Sequence, residues 1–129
     1  MSFDAEAILA NLIEQERIKG HHSPEGRAIR TLARALSGWS GGNLSRDDVI
    51  ILCDQAMEDW LKARLKRSPW SVESLSGLLR AATGQNLITS AEMNSLQALH
   101  ELRENQSGAA FNAVQAVLEF CIQLLEKHW

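Results

Sequence analysis

Apolar positions along the chain recur every three or four residues, the spacing that lines one face of an α-helix. Six such segments are bounded by helix start and stop signals. The first covers about residues 4 to 19, with Ile8, Leu9, Leu12 and Ile13 as its stripe and Gly20 as its stop. Ser23 is placed to cap the second, with Pro24 at its first position, where a missing amide hydrogen costs nothing. Ile29, Leu32 and Leu36 give that helix its apolar face, and the glycine-rich stretch SGWSGGN, residues 37 to 43, is expected to end it.

The third helix, about 46 to 66, carries the widest apolar face: Val49, Leu52, Cys53, Ala56, Met57, Trp60 and Leu61. Ser45 precedes it, Asp47 and Asp48 fall in its first turn, and Lys62, Arg64 and Lys66 fall near its end. That polarity complements the helix dipole. Glu58 and Lys62 add an i, i+4 pair in the favourable order. After the break RSPWS, Ser71 is expected to cap a fourth helix that ends at Gly84, with Trp70 packing on Leu75 as a staple. Thr89 and Glu92 form a capping box for a fifth helix carrying Met93, Leu96, Leu99 and Leu102, with Ile88 and Met93 as a second staple. A sixth, from about Gly108 to Lys127, carries Phe111, Val114, Val117, Leu118, Cys121, Leu124 and Leu125, and Ser107 is placed to cap it.

The predicted class is therefore all-α. Residues 46–129 read as a four-helix up-down bundle and residues 1–45 as an N-terminal helical hairpin in front of it. A chain of 129 residues is long enough to bury a core without disulfides or metals. No strand pattern or internal repeat competes with the helical reading, and only two prolines, Pro24 and Pro69, interrupt it.

Charge and cysteine usage narrow the function classes. A net charge of −3 gives no global field to hold a polyanion, so tight nonspecific nucleic-acid binding is not expected, although a local patch stays open. Cys53 and Cys121 each sit inside an apolar helical run, where a thiol acts as a small hydrophobe, and they read as reduced core residues of a cytoplasmic protein. The start MSFDAEAILANL lacks the basic region and cleavage site of a secretion signal, and no apolar run reaches bilayer length, so no membrane partner is expected.

Several candidate sites face simpler structural readings. His21 and His22, near Glu14, Glu16 and Glu25, suggest metal ligation, but no further histidine or cysteine completes a set, so a solvated loop is preferred and no metal or cofactor is expected. The run KARLKRS, residues 62 to 68, gathers Lys62, Arg64, Lys66 and Arg67, either as phosphate contacts or as a helix end that satisfies its dipole. The SGWSGGN linker lacks the lysine and preceding strand of a phosphate loop. Trp39, Trp70 and the terminal Trp129 are candidate interface anchors, and Trp60 belongs to the central stripe. His100 lies one step off the leucine stripe of the fifth helix, at the flank of the core, where a structural role is preferred.

The succession AMEDWLKARL, SLSGLLRAA, LITSAEMNSLQALHELREN and an apolar last helix resembles the HEPN superfamily, small helical domains named for higher eukaryotes and prokaryotes nucleotide-binding. The likeness covers about residues 46 to 127. It implies a four-helix bundle, commonly a homodimer, and in many members a metal-independent ribonuclease of toxin–antitoxin or defence systems. The family's motif is an arginine, a polar residue, three to five further residues, then a histidine. Arg103 matches the arginine and Glu104 fills the polar slot, but the histidine window falls on Gly108, Ala109 and Ala110, none of which titrates. His100 lies on the other side of Arg103.

The resemblance implies a non-catalytic relative that binds protein or nucleotide and forms a homodimer, with Arg103, Glu104 and His100 as its binding residues. The alternatives are a divergent ribonuclease using Arg103 with His100 or a partner-subunit histidine, and an orphan helical adaptor.

Overall fold

A computed structural model describes residues 4–68, 70–105 and 111–129. Six helices follow one another: α1 (Ala5–Lys19), α2 (Pro24–Ser40), α3 (Arg46–Arg64), α4 (Leu75–Gly84), α5 (Ser90–Asn105) and α6 (Phe111–Glu126). There is no strand among the described residues. None of the helices is long and apolar enough to cross a membrane, among the described residues.

The start signals act as the sequence predicts at α2, α3 and α5, and Asp4 caps α1 in the same way. Asp4 Oδ1, Ser23 Oγ and Ser45 Oγ each accept from the backbone amide three residues on. At α5 the capping box closes both ways: the Thr89 amide donates to Glu92 Oε1 at 2.8 Å and the Glu92 amide to Thr89 Oγ1 at 3.1 Å. Lys127 Nζ reaches Glu92 Oε2 at 3.1 Å and ties the end of α6 to the start of α5. Burial pushes the Glu92 carboxyl up, but the Thr89 and Lys127 bonds outweigh it and leave its pKa below the ordinary 4.5. A lowered carboxylate pKa stabilises the fold above the unfolded value and loses that contribution as pH falls. Glu92→Ala is therefore expected to cost about 1–2 kcal/mol at pH 7. The deficit should shrink in urea titrations run below about pH 4.5; a constant deficit down to pH 3 would refute this account.

Two boundaries differ from the sequence expectation. Ser74, not Ser71, caps α4, accepting from the Gly77 amide at 3.1 Å. Ser71 Oγ instead accepts from the Glu73 amide within the preceding loop, and Arg67 Nε holds Glu73 Oε1 at 2.9 Å. With the cap three residues later, Trp70 no longer precedes it, and the expected staple on Leu75 does not form: Trp70 is 84% exposed. The second difference is α2, which continues through SGWS to Ser40. The loop folds back so that the Asn43 and Leu44 amides donate to the Gly38 carbonyl. Leu44 then lies where a side chain at Gly38 would be, and Trp39 packs against the core.

Helix α3 is the hub and packs against α2, α4, α5 and α6, while α1 lies on α2 and α2 also touches α6. One contiguous buried cluster runs from Leu12 of α1 through Trp60 of α3 to Leu125 of α6. Cys53 and Cys121 are buried and free, as expected. The neighbouring Cys53 thiol, together with burial, pushes Cys121 well above its ordinary value. Ser107, Gly108, Ala109 and Ala110 lie outside the described residues.

Candidate functional site

Helix α3 carries a charge inside its apolar face. Asp54 stands one turn after Ile50 and one before Met57, both buried, so its side chain points into the core and is 3% exposed. A carboxylate in that position must be compensated by hydrogen bonds or opposite charge. Helix α5 supplies both. Buried Leu96 and Leu99 set its inward face, which leaves His100 and Arg103 at the flank, three residues apart and turned to the same point on α3.

Arg103 Nη1 donates to Asp54 Oδ2 at 2.9 Å, and His100 Nδ1 lies 3.2 Å from the same oxygen. The carboxylate fixes the proton of His100 on Nδ1, so Nε2 faces outward, 3.6 Å from Glu104 Oε1 on the next turn. Arg103 and His100 remain about one-third exposed, while the Glu104 side chain is 65% exposed. The centre is thus a buried acid bridged by two bases, with a second acid at the rim. Beside Arg103 lies a shallow depression of about 140 Å³, lined by Asp47, Ile50, Ile51 and Leu102. Cavities that enclose small molecules run to about 300–1,000 Å³, so this one does not engulf a ligand.

All three residues singled out in the sequence, His100, Arg103 and Glu104, meet here. Asp54, the residue that organises them, was not among them. Its signal was present: an aspartate at the i+4 position from one core residue and i−3 from another cannot be solvated.

The other candidates scatter. Trp39 and Trp129 are partly buried against the core, while Trp70 stands free at the surface. The Trp60 ring meets His128, with centroids 5.2 Å apart. In the GHHSPEG loop, His21 Nδ1 and Arg30 Nε both bind Glu16 Oε2, at 2.7 and 3.0 Å, and Arg30 also donates to the His21 carbonyl, so the loop ties α1 to α2. Burial raises the Glu16 pKa, but these two bonds prevail and hold it below its ordinary value. The basic run KARLKRS divides between two faces: Arg64 bridges to Glu25 at 3.5 Å, whereas Lys62 and Arg67 turn toward the outer face of α2. No family model, curated protein or solved structure matches this chain.

Proposed function

We propose that this chain is a non-catalytic, HEPN-like four-helix bundle with an N-terminal hairpin, a cytoplasmic module that works by binding protein or nucleotide as a homodimer. The observation that carries the non-catalytic part is the bond of Arg103 and His100 to one buried carboxylate. A guanidinium that neutralises Asp54 has part of its charge already compensated, and a phosphate arriving from solvent competes with that carboxylate. The pair stabilises a buried charge instead of waiting for a substrate.

A second reading has an observation of its own. Asp54 orients the His100 ring and leaves Nε2 outward, the arrangement in which an acid prepares a histidine for general base work. This favours a divergent ribonuclease that uses His100 and Arg103. A cleavage assay on single-stranded RNA in the presence of a chelator separates the two. Wild type and His100→Ala are expected to leave the RNA equally intact. Metal-free cleavage that disappears in both His100→Ala and Arg103→Lys would overturn the non-catalytic proposal. Light scattering reports the dimer; a monomer at high concentration counts against it.

A further inference from the structure

Buried Ala28, Ile29, Leu32, Ala33, Ala35 and Leu36 fix the inward side of α2, which turns Arg27, Arg30 and Arg34 outward on one stripe at i, i+3 and i+7. Beside the stripe, α3 contributes Lys62. Its end closes in a left-handed turn at Lys66 (φ 59°), where the Arg67 amide donates to the Lys62 carbonyl at 2.7 Å. That turn brings Arg67 back to the same side. The result is an open groove of about 390 Å³ carrying five cations, with exposed Trp70 at its edge.

Three of the cations have carboxylate partners: Arg30 with Glu16, Lys62 with Glu58 and Arg67 with Glu73. Arg27 and Arg34 form no ion pair among the described residues. Guanidinium groups with free donors suit phosphate oxygens, which they meet in a two-pronged fashion. An indole left open to water beside them offers a stacking face for a flat ring. Among the described residues only one acid lines the groove, Asp59, which Gln55 Nε2 holds at 3.0 Å. Burial holds the Asp59 pKa above its ordinary value, and the Gln55 bond with nearby Lys62 and Arg27 offsets only part of the rise.

Around the cations stand Glu16, Glu58 and Glu73, and the chain as a whole is acidic. A long strand would run from the groove into negative potential, whereas a compact ligand would not. We infer that the groove between the arginine stripe of α2 and the end of α3 binds a nucleoside polyphosphate, its phosphates on Arg27 and Arg34 and its base against Trp70. The inference rests on the reading of the chain as a binding module and gives that module its ligand and place. The groove shares no residue with the Asp54 centre, so RNA cleavage there would sink the earlier proposal and leave this one standing.

Isothermal titration with ATP, tripolyphosphate, adenosine and a short single-stranded RNA tests it, with Trp70 fluorescence as a second readout. ATP is expected to bind more tightly than tripolyphosphate, and adenosine weakly. Arg27→Ala and Arg34→Ala should each weaken ATP by about tenfold. Trp70→Ala should weaken ATP by about fivefold or more and leave tripolyphosphate unchanged. Asp59→Asn, which removes the opposing charge, should tighten both. All four positions are at or near the surface, and circular dichroism verifies the fold. Arg80→Ala, an exposed cation on α4 that does not line the groove, should change nothing. Absence of saturable ATP binding at millimolar concentration overturns the proposal. So does an Arg80→Ala effect as large as that of Arg34→Ala, or RNA binding more than about tenfold tighter than ATP, which makes the groove a strand-binding surface.

Discussion

Arg103→Leu is expected to destabilise the protein by about 3 kcal/mol, more than Asp54→Leu, and the double variant should recover most of the loss. The order follows from burial. Asp54 is 3% exposed, so removing Arg103 leaves a carboxylate in the core without its guanidinium, held by the His100 ring alone among the described residues. Removing Asp54 instead leaves Arg103 and His100, each about one-third exposed and able to turn to water. Its cost is expected near 1–2 kcal/mol, mostly lost hydrogen bonding. In the double variant the core charge is gone and leucines of similar reach can pack near Ile50 and Leu102. Urea midpoints of the four proteins measure the cycle. An Arg103→Leu variant as stable as wild type would mean that the guanidinium is held ready for a ligand and contributes little to the fold.

Gly26→Ala is expected to cost about 3 kcal/mol, for one methyl group in the first turn of a helix. A Cβ at position 26 would overlap the Gly20 carbonyl oxygen and stand 2.9 Å from Ser23 Oγ. Neither can yield cheaply. The Gly20 carbonyl accepts from the Ser23 amide and hydroxyl, and Ser23 Oγ caps α2 through the Gly26 amide at 2.9 Å. Relief requires α1 to move away from α2, at the expense of the buried contact around Leu12. Gly84→Ala is the comparison, since its Cβ would meet nothing within 4 Å, and it should be neutral or slightly stabilising. Thermal unfolding of the two side by side checks the contrast; equal midpoints would show that the α1–α2 turn adapts freely.

The legible part of this protein was local. Helix type, the Ser23 and Ser45 caps, the Thr89–Glu92 box and the Gly20 stop depend on residues within about one turn of each other, and a linear pattern contains that information. Where two local solutions compete, the sequence chose wrongly. Ser71 and Ser74 are both competent caps, and the Arg67–Glu73 bond six residues apart decides for Ser74. The SGWS segment has glycine, yet stays helical because Leu44 returns over Gly38.

The candidate site divides the same way. His100, Arg103 and Glu104 could be picked from their spacing on one helix. Asp54 could not be joined to them, because 46 residues separate it from His100 and the meeting is set by how α3 packs on α5. Likewise the sequence gathered Lys62, Arg64, Lys66 and Arg67 into one basic run, and only the turn at Lys66 separates them onto two faces and sets Arg67 beside the α2 arginines. Spacing along the chain determined which residues share a helix face. Packing between helices decided which faces meet, because burial and charge compensation act through space and not along the sequence.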